Sequence, residues 1–376
     1  MDRRGFLRLA GGGAVLAAMT GCASSGPDPA AAWAEAGEAV DPRRFVLSHA
    51  LLAPNPHNRQ PWLARLDGPD AITLFVDRTR LLPVTDAYSR QIVVGCGAFL
   101  ELLVIAATAR GLRAETRPWP DGEAVHKLDQ RPFARVQLVE SDLERDVLYP
   151  HILARRSNKE AYDPDRTVGP AALASMTAAA VGPGLRTAFS TDPVEVARLR
   201  ALVTRAYVRE VETPAAMKES VDLMRIGRRE VAKHRDGIDL TGAPIEAMAA
   251  VGLLTREKMM TPGSMAFEQG KGLYAPLAES TNAFAWLVSE GNSRNAQLAA
   301  GRAYARMNLQ ATAQGLAIHP MSQALQEFAE MAPLKAEVEQ LTSTGAGERL
   351  QMLVRVGYGR AVPPSPRRGL SEHLIA

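Results

Sequence analysis

Two stretches of this chain carry the same glycine-to-glycine helix, and any fold has to place both. Gly97 to Gly111 aligns with Gly301 to Gly315 when Gly111-Leu112 is set on Gly315-Leu316. The same alignment puts Ala107-Thr108-Ala109 on Ala311-Thr312-Ala313. The closing glycine of each run supplies a helix stop, and the alanine-rich faces suit close helix-to-helix approach. A strand candidate precedes each helix, at 72–76 and 283–288, and an extended segment follows each. The pattern predicts a duplicated domain whose two long helices pack on one another.

The remaining periodicities read as α+β. Helices are expected at 42–52, 97–110, 144–154, 170–180, 193–209 and 294–314, with further strands at 114–117, 134–139, 185–190 and 350–356. Residues 213–275 differ in character. They hold Met217, Met224, Met248, Met259, Met260 and Met265 on short helices broken at Gly242-Ala243-Pro244 and Thr261-Pro262-Gly263-Ser264. Adaptable methionines of this kind fill a core or cover a pocket, and the expectation is a lid-like cover.

The first residues read as a targeting segment. Arg3-Arg4-Gly5-Phe6-Leu7-Arg8 resembles a twin-arginine export motif, and the apolar run 9–19 is shorter than the roughly 20 residues a membrane-spanning helix needs. Met19-Thr20-Gly21-Cys22 resembles a lipobox, so the expected outcomes are a lipid anchor at Cys22 or ordinary cleavage after Ala23. Either predicts a periplasmic or cell-envelope protein. Export by this route favours a cofactor bound before translocation. The expected organisation is a signal over 1–22, a small-residue, Ser/Pro-rich flexible linker over 23–41, a first half over 42–142 and a second half over 143–376 that includes the insertion.

Composition narrows the chemistry. With 376 residues, 46% hydrophobic and 23% charged, the chain has ample core for two domains. The formal charge is +3, and the leader's three arginines against one aspartate supply two of those charges, so no nucleic-acid footprint is expected. No run after the leader is expected to span a membrane. Only Cys22 and Cys96 exist, which rules out a disulfide framework and a zinc site, and Cys96 reads as a packing residue. Seven histidines are scattered without metal-ligand spacing, and no metal is expected. Neither a Gly-x-Ser-x-Gly elbow nor a phosphate-binding Gly-x-x-x-x-Gly-Lys loop occurs.

Three stretches carry chemistry. Arg155, Arg156, Ser157, Asn158 and Lys159 put three cations and a hydroxyl together, which suits a phosphate, although a solvated helix end reads the same way. The loop Ala53 to Trp62 has three prolines that forbid a helix, and it presents the amides of Asn58 and Gln60 beside Pro61. His57 in that loop could donate to a substrate, and Trp62 reads as its core anchor. Pro363-Pro364-Ser365-Pro366 forms an extended arm able to carry Arg367 and Arg368 away from the last strand.

Together these stretches resemble the nitroreductase family of FMN-binding proteins. Asn58-Arg59-Gln60-Pro61-Trp62 is similar to the family's flavin-contacting loop. Arg155 to Lys159 resembles its phosphate motif, and the closing Arg355-Val356-Gly357-Tyr358 with Arg367-Arg368 resembles its C-terminal cations. The loop here precedes the phosphate motif, the reverse of the ordinary order. That order and the repeated helix resemble the fused two-half, Acg-type branch, which mimics the family's homodimer within one chain.

The resemblance implies an α+β nitroreductase fold of two pseudo-symmetric halves, a monomer, and one FMN per chain. It implies that Arg155, Arg156, Ser157, Lys159 and Arg367 or Arg368 hold the phosphate, that Asn58, Gln60 and Pro61 meet the ring edge, and that Met321 and Ser322 offer a backbone N–H to the flavin. Catalysis would be flavin-centred, with no catalytic side chain assigned. Electrons would pass from a small-molecule donor such as a nicotinamide to a small organic acceptor. The alternative is a protein that holds or sequesters FMN without turnover.

Overall fold

The computed structural model describes residues 28–376; the export motif and the lipobox lie outside the described residues. Two sheets of matching topology form the frame. In the first, β1 (Trp62–Asp67), β2 (Ala71–Val76), β3 (Leu112–Pro118) and β4 (Ala134–Glu140) run in the order β1-β2-β4-β3, all antiparallel. In the second, β5 (Leu185–Ser190), β8 (Ala283–Glu290), β9 (Ala317–Pro320) and β10 (Glu348–Gly357) run in the order β5-β8-β10-β9, again antiparallel. A long helix follows the second strand of each set, Arg90–Thr108 in the first and Arg294–Ala313 in the second. The duplication expected from the glycines is thus repeated strand for strand.

The two helices cross at those glycines. A Cβ placed on Gly301 would lie 2.9 Å from the Cα of Gly97 and closer still to the Val94 carbonyl, while one on Gly97 would meet the Leu298 carbonyl. Only glycine permits such a backbone approach. Each helix also lends side chains to the other half's core: Val94 packs with Ala303 and Met307, and Leu298, Ala305 and Leu309 pack among the residues of the first half. The ends are cross-braced in the same way. Buried Arg90 donates to the carbonyls of Leu325 (2.7 Å) and Gln351 (3.1 Å), and buried Arg294 donates to those of Ala124 (2.8 Å) and Tyr88 (2.9 Å). Midway, Glu101 takes Arg302 at 2.6 Å and Arg306 at 2.8 Å.

Several expectations need correction. Helix 144–154 does not form: 141–146 is irregular, Val147 is exposed, and only Tyr149–His151 makes a 3-10 turn, because Pro150 leaves no room for a continuous helix. Helix Arg90–Thr108 is, by length and composition, apolar enough to cross a membrane, contrary to expectation. In the fold 83% of its most apolar window is buried. The linker is also ordered where it is described: Ala31–Ala34 is helical and Trp33 is buried against the first core. Its alanines gave a tether-like composition that concealed one anchoring aromatic ring. Cys96 is fully buried, and burial pushes its thiol pKa up, as a packing role requires.

The insertion is a helical body with its own small core around Val211, Met217, Val221, Met259 and Phe267. Its strands β6 (Met224–Ile226) and β7 (Ile238–Leu240) pair in parallel. It is clasped to the first half, where Glu219 accepts from the backbone N–H groups of Val84 and Thr85, each at 2.9 Å. The C-terminal arm makes the longest excursion. After β10 it crosses to the first half, and β11 (Leu374–Ile375) adds in parallel to the free edge of β1.

Candidate functional site

The loop before β1 is bent in an unusual way. His57, Asn58 and Gln60 all have positive φ (48°, 49° and 50°), a region that costs a non-glycine residue about 1–3 kcal/mol. Asn55 holds the bend by accepting the Gln60 N–H at 2.7 Å, and Gly237 of the insertion donates to the Asn58 carbonyl at 3.2 Å. Trp62 is 1% exposed and stacks obliquely on Phe99, so the loop is anchored at its far end.

The arm settles into this loop. Asn58 donates its amide to the Pro366 carbonyl at 2.9 Å, and Arg367 donates to the Asn58 side-chain oxygen. Gln60, fully buried, accepts the Arg368 N–H at 2.9 Å and donates to the Arg235 carbonyl at 2.8 Å. Asn58 and Gln60 are the residues expected at a flavin edge. Their side-chain amides are occupied in joining loop, arm and insertion, because the arm brings carbonyl and guanidinium partners within reach. Pro61 is buried and its carbonyl accepts from Asp77, which sets the start of β1.

The two C-terminal arginines separate. Arg367 donates to the carbonyls of Leu51 (3.0 Å) and Ala53 (3.1 Å), at the C-terminal end of helix Pro42–Ala50. Arg368 donates to the Gln60 carbonyl at 3.0 Å, and its charged neighbours are Arg80, Glu372, Asp77 and Asp236. Of the pair, Arg367 alone faces Arg155 and Arg156.

Arg155 is 1% exposed, and only one of its nitrogens is bonded, to the Leu52 carbonyl at 2.7 Å. Its Nε and Nη1 are buried without a partner, as is Nε of Arg156. No carboxylate pairs with Arg155, Arg156 or Arg367 among the described residues. Burial, then the charge of Arg155, pulls Arg367 down to about 9 against an opposing pull from Asp239; burial with Arg156 pulls Arg155 to about 10. Clustered cations with no carboxylate bonded to them are costly where they are buried, by several kcal/mol.

From this cluster a strip of polar groups continues between the halves. Ser157 lies near Tyr304, whose hydroxyl accepts from Asn308 at 3.1 Å. Lys159 is exposed, and its charge reaches both His57 and His319. Burial first, and then Lys159, lowers His57 to about 4, so it is neutral at pH 7 with a buried Nδ1 that has no partner. Fully buried Arg355 braces the strip, donating to the carbonyls of Asn158 (3.1 Å) and Glu160 (2.8 Å) and to His319 Nδ1 (3.0 Å). Met321 does not offer a free N–H: it donates to the Leu353 carbonyl at 2.8 Å, and its side chain lies in the core. Ser322, one residue on, keeps its N–H without an acceptor among the described residues.

Sequence reasoning missed Tyr304, Arg355 and Trp33. Tyr304 is the one aromatic side chain in its helix, which was the only local signal. Arg355 was read as part of a strand motif, and nothing in the tail distinguished Trp33.

The strip thus offers unpaired donors at one end (Arg155, Arg156), a hydroxyl pair in the middle (Ser157, Tyr304) and Lys159, His57 and the Ser322 N–H beyond. That donor set fits an elongated ligand with a multiply charged anionic end. A Mycobacterium tuberculosis protein bearing the name NAD(P)H nitroreductase is 31% identical over 341 residues, which span 88% of this chain and 90% of that protein. The Acg nitroreductase of the same organism is 35% identical over 83 residues, 22% of this chain and 24% of Acg. No family model matches the chain. Among solved structures, an iodotyrosine deiodinase bound to FMN and 3-iodo-L-tyrosine aligns over 59% of this chain and 95% of its own, at 15% identity and a TM-score of 0.37. An FMN-dependent nitroreductase of Mycobacterium smegmatis in complex with NADPH aligns over 59% and 94%, at 19% identity and a TM-score of 0.37.

Proposed function

Because the chain belongs to the nitroreductase family, we propose that it is an exported FMN-dependent oxidoreductase holding one FMN between its halves. The observation that carries this reading is the buried arginine cluster whose donors lack partners: Arg155 Nε and Nη1 with Arg156 Nε, beside Arg367. A phosphate monoester of nearly two negative charges supplies the missing counter-charge and acceptors. Arg155, Arg156 and Ser157 hold it, with Arg367 adding field rather than hydrogen bonds. Lys159, the neutral His57 and the Ser322 N–H face the remainder of the cofactor, and Arg355 keeps Lys159 in place.

When bound, FMN supplies the redox chemistry, passing electrons from a nicotinamide donor to a small organic acceptor. The protein's own residues bind, orient and shield it, and the clasped insertion restricts what reaches the ring. One site per chain follows from asymmetry: the arm that delivers Arg367 crosses in one direction only. The twin-arginine motif supports export, and the two cross-braced helices support a monomer.

The test is the flavin content of purified protein after dialysis. R155A and S157A should each lower FMN affinity by about tenfold or more with an unchanged far-UV spectrum. Wild-type FMN content in both variants would place the site elsewhere. Adding NADPH and then dithionite anaerobically separates turnover from mere holding. Bleaching by dithionite alone, with no acceptor-dependent NADPH oxidation, would remove the enzymatic half of the proposal. A colourless protein that takes up no FMN would overturn the whole of it.

A further inference from the structure

The N-terminal segment closes the cationic end of the site. Trp33 is 7% exposed, and its ring centroid lies 4.5 Å from the guanidinium carbon of Arg156, 5.7 Å from that of Arg367 and 5.8 Å from that of Arg155. One indole face set serves three cations, each within cation–π range. Two hydrogen bonds fasten the segment to the C-terminal arm: the Trp33 indole N–H donates to the Ser365 carbonyl at 2.8 Å, and the Arg367 N–H donates to the Pro29 carbonyl at 3.0 Å. Residues from both ends of the chain therefore form a wall against the arginines that have donors to spare.

We infer that Trp33 is a specificity-determining residue that makes the site select a flavin mononucleotide over a dinucleotide. This rests on the placement of FMN proposed above. A terminal phosphate ends at the arginine cluster, whereas a flavin adenine dinucleotide must continue past it with a second phosphate and an adenosine. On this side of the cluster stand the indole and the chain from Pro29 to Trp33, which a group continuing past the phosphate would meet. The same ring adds to retention, because it keeps water from the guanidinium groups and so strengthens their hold on the phosphate.

Titration of the full-length protein with FMN and with FAD, followed by flavin fluorescence, tests the inference on W33A and W33L; the leucine variant keeps apolar packing in case the alanine variant does not fold. The wild-type chain should prefer FMN. In either variant the FMN-to-FAD affinity ratio should fall by about tenfold or more, with FMN itself bound more weakly. R155A should weaken both flavins together. A folded W33L with the wild-type ratio would overturn the role of Trp33 while leaving the site intact. Equal loss of both flavins in W33L would also overturn it, because the ring would then act only as general support. A wild-type chain that binds neither flavin would instead sink the underlying placement.

Discussion

Gly97 and Gly301 offer the sharpest test of how the two halves are joined. In G301A the new methyl would sit 2.9 Å from the Gly97 Cα, where carbon contacts are most favourable near 3.5–4.0 Å, and nearer still to the Val94 carbonyl oxygen. The obstacle is backbone on both sides, so no rotamer change relieves it. The helices must part by roughly 1 Å, which forfeits a quarter to a half of the dispersion well at contacts along the seam. Overpacking of this kind costs about 1–3 kcal/mol, and lost seam contacts add to it. Alanine's better helix propensity returns about 1 kcal/mol. The net expectation is about 2–3 kcal/mol of destabilisation for G97A or G301A, read as a lower urea midpoint at unchanged slope. A second signature distinguishes the mechanism: once the helices have parted, the second methyl meets less obstruction, so the double variant should lose clearly less than the sum of the singles. G270A serves as control, since a Cβ there meets nothing within 4 Å. A G301A midpoint equal to that of wild type, or strict additivity in the double variant, would refute the close-contact account.

Three further outcomes are expected. E101Q removes the charge shared by Arg302 and Arg306 across the helix pair and should cost about 1–2 kcal/mol, with a weaker dependence of stability on salt than in wild type. E219A frees the backbone N–H groups of Val84 and Thr85 and should release the insertion, seen as faster proteolysis between Gly242 and Gly263 with the sheets still intact; unchanged cleavage kinetics would show that the clasp is not what holds it. Stability should fall between pH 7 and pH 5. His57 and His373 are held at about 4 and about 3, largely by burial, and His49 and His319 are also lowered. An unfolded histidine titrates near about 6.5, so the unfolded chain binds more protons below that value and stability is lost towards pH 4. Asp86, raised to about 6 by burial, and Glu210 work the other way, since their contribution is gained as pH falls, and they offset part of the loss. An unchanged urea midpoint at pH 5 would count against the histidine assignment.

What could be read from the sequence depended on whether the constraint was local. The glycine spacing was legible because a backbone crossing admits no other residue, and it led to the duplicated halves. The same register also aligns Ser89-Arg90 with Ser293-Arg294, the pair that braces each helix end into the opposite half; isolated arginines after a serine gave no reason to expect it. Arg155 was legible as a cation in a basic cluster, but its burial with two nitrogens unpartnered was not. Asn58 and Gln60 were legible as site-loop residues but not in role, because their partners arrive from Pro366 and Arg368 at the other end of the chain. The missing helix at 144–154 shows the opposite error, an apolar period produced by Val147 and Leu153, which are exposed, and by Leu148 and Ile152, which are not. Trp33 was invisible for a further reason: a single aromatic ring in an alanine-rich tail has no periodicity to reveal it.

The crossing arm also sets an order on synthesis. Strand β1 is made early, yet its edge partner, Leu374–Ile375, is made long after it. The first sheet therefore cannot be completed until those residues have emerged, and the loop that Arg367 pins stays unpinned until then. A nascent chain in this state exposes an open sheet edge and a half-built cationic site.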